Sequence, residues 1–278
     1  MHQDSFHLNK KLALLCLITS SLFTCPVAAE QPTITIIIDD IGYRLQDDLQ
    51  SLTLPGPVAY AILPHAPHTE KMSQLASRKN KEILLHQPMQ AMEKNEYLGP
   101  GALTLNMSHK EFLQTLNINI NAVQNLIGIN NHMGSLLTRH PGHMQWLMET
   151  MKANGQFYVD SLTSDDSVAS RLARENNIPY LTRDVFLDNK LDAKYIRGQF
   201  MELIKVAKRK GSALGIGHPH PVTTAVLLNV LKDVEQHGVK LIGLKSLVHK
   251  KTAQRQATGK KYAQGPDTAS TRLHGSRR

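Results

Sequence analysis

Several histidines and an aspartate pair stand at comparable places in the sequence, each shortly after an apolar segment. Asp39 and Asp40 follow a β-branched run, and His86, His132 and His218 come after later runs. A lone histidine at a strand end is more often structural, but this convergence favours one shared site. Neutral imidazoles plus a carboxylate, with positions left open for water, suit a catalytic divalent metal ion, with zinc as the expected metal.

The adjacent aspartates allow two interpretations. Carboxylates at the end of an apolar strand are costly unless they bind something, so they could serve a reaction or cap the following helix. Because side chains alternate along a strand, Asp39 and Asp40 should point in different directions. One could then bind a metal ion while the other accepts a proton from water.

The segments that position these residues alternate between short apolar runs and amphipathic helical stretches. The predicted strands are residues 34–38, 58–63, 82–85, 126–129, 157–159, 179–182, 212–216 and 239–244. Ser108 and Glu111 form a capping box that opens a helix to about residue 126, and Asp192 and Gly211 bound a longer helix. This alternation predicts an α/β fold, and the strand count favours a (β/α) barrel of seven or eight mostly parallel strands over an open sheet.

Further polar residues follow the same predicted strands. They are Asn131 after the fourth strand, Asp160 after the fifth, Arg183 and Asp188 after the sixth, and His220 beside His218 after the seventh. The carboxyl ends of parallel strands carry the functional residues in barrels and open sheets alike. We therefore expect these side chains to gather around the metal centre.

Residues 1–29 have the pattern of a secretory signal peptide. Lys10 and Lys11 precede a run of about a dozen mostly apolar residues, which is too short to span a bilayer comfortably, and small residues end the segment at Ala29. An uncleaved membrane anchor is the alternative. We expect an exported protein, periplasmic after cleavage near Ala29. Both cysteines, Cys16 and Cys25, lie in this segment, so any metal would be held by His, Asp, Glu or Asn.

The net charge of +9 is concentrated near the C-terminus. Residues 250–278 contain eight Lys or Arg and one Asp, whereas residues 30–249 contain 22 basic and 21 acidic residues. A nearly neutral domain argues against nucleic acid as a partner. The polar, basic segment 250–278 is predicted to be a disordered tail, either a solvated extension or a contact to an acidic polymer or a membrane surface.

The motifs together resemble the divergent polysaccharide deacetylase family, a bacterial branch related to the NodB-type carbohydrate esterases. They are Asp39-Asp40-Ile41-Gly42, His86-x-Pro88-Met89, Asn131-His132-x-Gly134-Ser135, Phe157-x-x-Asp160-Ser161, Arg183-x-x-Phe186-Leu187-Asp188 and Gly217-His218-Pro219. The resemblance covers roughly residues 33–248, and makes residues 30–249 the expected domain. It implies a distorted (β/α) barrel, a divalent metal and removal of N- or O-acetyl groups from sugars.

The resemblance also implies roles for individual residues. Asp39 would be the general base, Asp40 and His86 metal ligands, and His218 the group that protonates the leaving group. Arg183 is a candidate partner for the Asp39 carboxylate. The remaining residues (Asn131, Asp160, Asp188 and His220) would orient these groups or contact substrate, with Asp160 or Asp188 holding a histidine.

The sequence departs from the NodB-type pattern at two places. That pattern has two histidines four residues apart in its second motif, but residue 90 is Gln90, and we assign the missing ligand to His132. The Arg-x-Pro-aromatic motif after the fourth strand is replaced by the segment at residues 130–135. Two hypotheses follow: a metal-dependent deacetylase acting on an envelope or exported glycan, or an inactive glycan-binding or envelope-organising protein on the same scaffold. A phosphoesterase is disfavoured, because it would usually have more carboxylates.

Overall fold

The computed structural model describes residues 30–263, with side chains as far as residue 258. The predicted signal peptide and residues 264–278 lie outside the described residues. Within residues 30–263, no helix combines the length and hydropathy that crossing a membrane requires.

A single parallel sheet forms the centre of the described chain. Its strands are β1 (Thr33–Ile41), β2 (Ala59–Ile62), β3 (Ile83–Met89), β4 (Leu126–Met133), β5 (Phe157–Asp160), β6 (Tyr180–Thr182), β7 (Val185–Phe186), β8 (Ser212–Gly217) and β9 (Lys240–Leu241). The order is β6-β5-β4-β3-β2-β1-β8-β7, and β9 pairs with β1. The sheet curls into a half-barrel whose end strands, β6 and β7, are not paired with each other. This confirms the predicted distorted (β/α) barrel.

Helices connect the strands, and several of their ends fall at the capping and stop residues predicted from the sequence. They are α1 (Leu45–Ser51), α2 (Thr69–Arg78), α3 (His109–Ala122), α4 (Pro141–Ala153), α5 (Ala169–Glu175), α6 (Ala193–Lys210), α7 (Pro221–Val230) and α8 (Leu244–Ala263). The capping box of Ser108 and Glu111 is formed at the start of α3. Asp192 caps α6, and Gly211 ends it with a φ of 80°, a conformation that glycine adopts without strain.

The two faces of the sheet pack against different partners. Ile34, Ile36 and Ile38 belong to a large core shared with the surrounding helices. Ile37 belongs to a second core inside the half-barrel, together with inward residues of β2, β3, β5, β6 and β8. The strand alternation of period two thus sorts β1 into an outer and an inner face.

Helix α8 closes the amino-terminal end of the half-barrel. Leu244, Leu247 and Val248 pack into the inner core. The carboxylate of Glu82, just before β3, accepts hydrogen bonds from the backbone N–H groups of Leu244 and Lys245. These two N–H groups lack partners within the helix, so Glu82 caps α8.

Two predictions about the C-terminal part are wrong. Residues 250–263, assigned to a disordered tail, continue α8, because the apolar residues of its first turns anchor the helix in the barrel. The predicted eighth strand, 239–244, is reduced to β9 and leads into α8. Strand β7 was not predicted, since two residues carry no readable periodicity.

Candidate metal centre

The candidate site lies at the carboxyl ends of the strands, on the inward face. Residues two positions after inner-core residues point the same way, because the side-chain period of a strand is two. These pairs are Ile37 and Asp39, Leu84 and His86, Val159 and Ser161, Leu181 and Arg183, and Ile216 and His218. The apolar interior of the half-barrel therefore passes directly into a polar cluster at its open end.

Asp40 reaches the same cluster through a break in β1. In a regular strand it would point away from Asp39, but the pairing of β1 with β2 shifts register between Ile38 and Ile41. Asp40 has a φ of 59°, in the left-handed region that few residues other than glycine adopt. The irregularity turns Asp40 towards the site, and such strained positions cluster at functional sites.

Asp40, His86 and His132 bring three ligand atoms together. Oδ1 of Asp40 lies 3.1 Å from Nε2 of His86 and 2.9 Å from Nδ1 of His132. The two ring nitrogens are 3.3 Å apart. Donors bound tetrahedrally to Zn²⁺ at 2.0–2.1 Å would be about 3.3 Å from one another. The spacing of the three atoms therefore fits a divalent ion.

The tautomers of the two histidines follow from their other neighbours. Nε2 of His132 lies 3.2 Å from the carbonyl oxygen of Tyr97, which can only accept, so this nitrogen carries the proton. Nδ1 of His86 lies 2.8 Å from Oδ1 of Asn130 and donates to it. The nitrogens that face Asp40 therefore carry lone pairs. Metal-binding histidines commonly donate their second N–H to a carbonyl in this way.

The cluster attracts positive charge. With neutral rings, three lone-pair atoms face one another, and among the described residues no hydrogen-bond donor satisfies the buried Oδ1 atom of Asp40. Burial disfavours a charged His86, but the carboxylates of Asp39 and Asp40 outweigh it and raise the pKa of His86. A proton or a divalent cation would relieve the same repulsion.

Asp39 is buried beside the three ligand atoms. Its Oδ2 lies 3.8 Å from Nε2 of His86, and its Oδ1 accepts a 2.8 Å hydrogen bond from Nδ2 of Asn130. Burial raises the pKa of Asp39, with the charges of His86 and His218 opposing the shift. A carboxylate with a raised pKa is a stronger base, which suits proton abstraction.

His218 faces the cluster from β8 and is held by Asp188. Nδ1 of His218 donates to Oδ1 of Asp188 over 2.9 Å, and its Nε2 lies 3.8 Å from Oδ2 of Asp40. Burial lowers the pKa of His218, but the hydrogen bond that the ring donates to Asp188 and the charges of Asp40, Asp188 and Asp39 raise it overall to about 9. The ring is therefore protonated at neutral pH and can act as an acid.

Asp188 is fixed by three donors. Besides the His218 ring, it accepts hydrogen bonds from the backbone N–H of His218 and the hydroxyl of Thr223. Asp188 therefore orients a histidine, which was one of the two alternatives predicted from the sequence. The other alternative, Asp160, accepts from Ser167 and from the N–H of Leu162 and is not bonded to any described histidine.

Arg183 does not pair with Asp39. Its guanidinium donates to the carbonyl oxygens of Ser161 and Leu162 and stacks over the Phe186 ring. The proposed partnership is therefore not formed, because Asn130 occupies the hydrogen-bonding position at Asp39. Arg183 instead holds the loop after β5.

Asn131 and His220 lie beside the cluster without entering it. Asn131 points to the opposite face of β4 from His132, where it accepts from the hydroxyl of Tyr158 and the N–H of Ser161. The ring of His220 is 5.9 Å from that of His218. His220, His218 and Asp188 form a second group whose ligand atoms lie within 4.8 Å of one another.

Asn130, which connects the metal ligand candidate His86 to Asp39, was not singled out from the sequence. Asn130 pairs with His86 across β3 and β4, and its side chain contacts both His86 and Asp39. Its position two residues before His132 is the signal that identifies it, because the two share a strand face. The contact from Tyr97 is made by a backbone carbonyl in a loop, for which the sequence has no signal.

A curled parallel half-barrel with this cluster at the carboxyl ends of its strands defines a protein of the NodB-type deacetylase fold. Residues 36–248 match the family described as divergent polysaccharide deacetylase. The chain therefore belongs to the divergent polysaccharide deacetylase family.

Two bacterial relatives are similar over most of the chain. An uncharacterised protein of Haemophilus influenzae Rd is 36% identical over 217 residues, which are 78% of this chain and 77% of that protein. The uncharacterised protein YibQ of Escherichia coli K12 is 35% identical over 201 residues, or 72% of this chain, and the match spans 63% of YibQ.

Solved structures share the fold at low sequence identity. The uncharacterised protein ATU2773 from Agrobacterium tumefaciens C58 has a TM-score of 0.75 at 20% identity, covering 79% of this chain and 90% of that one. The catalytic domain of a peptidoglycan N-acetylglucosamine deacetylase from Eubacterium rectale has a TM-score of 0.51 at 14% identity, covering 77% and 89%. A mutant of BA3943, a CE4 family pseudoenzyme with restored activity, has a TM-score of 0.51 at 11% identity, covering 79% and 68%.

Proposed function

We propose that the protein is an exported, metal-dependent hydrolase that removes acetyl groups from an envelope or exported glycan. The observation that carries the proposal is the convergence of Asp40, His86 and His132 on one point, with Asp39 and His218 beside it. A ligand set of one carboxylate and two imidazoles leaves positions open for water and substrate, as a catalytic zinc site requires.

Asp40, His86 and His132 would hold the divalent ion, with zinc as the favoured metal. The bound ion would supply Lewis-acid activation of the acetyl carbonyl and of water. Asp39 accepts the proton of the attacking water, and Asn130 keeps its carboxylate aimed at the site. His218 donates a proton to the departing amine or alkoxide, with Asp188 holding the ring. A base and an acid beside the ligand atoms suit hydrolysis of an acetyl bond.

The glycan assignment rests on the family and on the rim of the site. The structural relative from Eubacterium rectale is described as a peptidoglycan N-acetylglucosamine deacetylase. Tyr97, whose carbonyl contacts His132, leaves 68% of its surface exposed, and Tyr43 is 46% exposed. Exposed aromatic faces next to a polar centre provide an apolar surface for a sugar ring. Export is proposed from the N-terminal charge and hydropathy pattern.

A second candidate is an inactive glycan-binding or envelope-organising protein. The observation that favours it is Gln90, which stands where the NodB-type pattern has its second metal histidine. Gln90 is engaged structurally, because its Oε1 accepts from the N–H of Leu105. On our proposal, His132 from β4 replaces that ligand.

Metal content of the purified protein tests the proposal first. We expect one equivalent of metal, lost on His86→Ala and on His132→Ala but retained on His249→Ala, which removes an exposed histidine on α8. Acetate release from acetylated oligosaccharides then tests catalysis, and Asp39→Asn should keep the metal and lose turnover. A folded protein that takes up no metal after zinc addition would refute the hydrolase and leave the second candidate. Metal binding without acetate release from any acetylated glycan would support an inactive binding protein.

A further inference from the structure

A second cavity lies away from the metal centre, beside β6 and the start of β8, near the gap left between the end strands β6 and β7. Helix α8 forms one wall of this cavity, which is open to solvent on one side and has a volume of about 830 Å³. The cavity is lined by residues of β6, β8 and α8 and by the ends of α5 and α6, and none of the metal-centre residues borders it. It is therefore a separate site.

The lining of this cavity carries surplus positive charge. Four basic side chains border it, Arg174, Lys210, Lys251 and Arg255, and Asp184 is the single acidic residue of the lining. Asp184 is already engaged, because its Oδ1 lies 2.8 Å from Nζ of Lys210 and its Oδ2 accepts from the N–H of Leu214. Among the described side chains, no carboxylate forms an ion pair with the other three bases.

Arg255 is held in place by two contacts to Tyr180. Arg255 donates from Nη1 to the carbonyl oxygen of Tyr180 and stacks over the Tyr180 ring at 3.7 Å. A guanidinium has five N–H donors, so Arg255 keeps donors available for a ligand. The Thr252 hydroxyl, also in the lining, is buried without a hydrogen-bond partner among the described residues.

The basic side chains of the cavity repel one another, which favours the binding of an anion. Burial lowers the pKa of Lys251; the charge of Asp184 opposes this shift, while Arg255, Lys210 and Lys250 add to it. Arg174, Lys210 and Arg255 are exposed and Lys251 is half-buried, whereas the buried Thr252 hydroxyl is costly to leave without a hydrogen bond. An anion would offset the repulsion between the bases and could accept from this hydroxyl. Charged hydrogen bonds from arginine and lysine to oxyanions are among the stronger polar contacts in proteins.

We propose that this cavity binds a small polyanion, a ligand that carries a diphosphate or several carboxylates. The three bases that form no ion pair with a described carboxylate match two or three negative charges. The volume exceeds that of a single phosphate many times, which leaves room for an organic part of the ligand. The site would act independently of the metal centre.

Calorimetric titration of the metal-free protein with inorganic pyrophosphate, and separately with citrate, tests the proposal. Metal is removed first because both anions bind metal ions. We expect one bound anion per chain, and about fivefold or greater weakening on Lys251→Gln or Arg255→Gln. Arg255→Lys should weaken binding less, since it keeps the charge. Lys245→Gln, at an exposed position of the same helix, is the matched control and should stay within about twofold.

The outcomes separate the ligand classes. Binding of pyrophosphate alone would assign a phosphate ligand, and binding of citrate alone a polycarboxylate. The proposal is overturned if neither anion binds at low ionic strength, or if Lys245→Gln weakens binding as much as Lys251→Gln. Loss of binding on Asp40→Asn would also overturn it, because the anion would then sit at the metal centre. Thermal unfolding of each variant separates loss of the site from loss of the fold.

Discussion

Asn130 should couple the metal ligand His86 to the base Asp39, and its replacement tests both connections. The side chain accepts from Nδ1 of His86 over 2.8 Å and donates to Oδ1 of Asp39 over 2.8 Å. A hydrogen bond to a charged group contributes about 1.5–3 kcal/mol and one between neutral groups about 1 kcal/mol. Asn130→Ala removes both bonds and leaves both partners buried.

We expect Asn130→Ala to weaken metal binding about 10–100-fold, the usual effect of losing the group that orients a metal-binding histidine. Asn130→Asp separates the two connections. The carboxylate can still accept from His86, but it cannot donate to Asp39 and it repels that carboxylate. Metal affinity should therefore be kept while turnover falls by about 100-fold or more, since general-base catalysis contributes about 10²–10⁴-fold.

Competition with a chromophoric zinc chelator measures affinity, and acetate release measures turnover. Asn131→Ala is the matched control, because it also removes a buried asparagine side chain but one that faces the opposite side of β4 from the site. It should lower the free energy of unfolding and change metal affinity less than Asn130→Ala does. Unchanged metal affinity in Asn130→Ala, or full turnover in Asn130→Asp, would refute the coupling.

Three further predictions concern pH and stability. Asp188→Asn removes the charge that helps raise the pKa of His218 to about 9, so the alkaline limb of the kcat/KM profile should move at least about one pH unit lower; an unmoved limb would exclude His218 as the acid. Burial raises the pKa of Asp48 from 3.8 to about 6, so the folded protein binds an extra proton between these values and the free energy of unfolding falls as pH rises through that window. Asp48→Asn should remove this fall in the free energy of unfolding, which amounts to up to about 3 kcal/mol at pH 8. Urea titrations at pH 4 and pH 8 measure it, and an unchanged pH dependence would contradict the raised pKa of Asp48. Glu82→Ala removes the cap of α8 and should cost about 1–2 kcal/mol in urea unfolding without changing metal affinity, whereas no loss of stability would mean that α8 is held by its apolar contacts alone.

The local features of the fold could be predicted from the sequence, because each depends on residues that are close together in the chain. The capping box at Ser108, the Asp192 cap and the Gly211 stop depend on backbone groups within a few positions, and all three are present. The apolar runs before Asp39, His86 and His218 form β1, β3 and β8, since β-branched runs between helices suit buried parallel strands. The same reasoning brought Asp40, His86 and His132 to one end of the sheet.

Other features depend on contacts between distant segments. Residues 250–278 were predicted from composition to be a disordered tail, but Leu244, Leu247 and Val248 bury the start of α8 in the barrel, and residues 250–263 continue that helix. Arg183 has the right type and position to meet Asp39, yet it turns to the carbonyl oxygens of Ser161 and Leu162. The composition of a segment gives its residue types, whereas the burial of those residues depends on which distant segments pack against them.

The sequence by itself determined the residue types at the strand ends, the order of the elements and the family. The tertiary structure decided which of two adjacent asparagines enters the site, because the inward face of β4 is set by its pairing with β3 and by the curl of the sheet. It also decided that Asp40 turns inward with Asp39, through a register shift between β1 and β2. Strand periodicity is a local property, but which side becomes the interior is fixed only when the strands assemble.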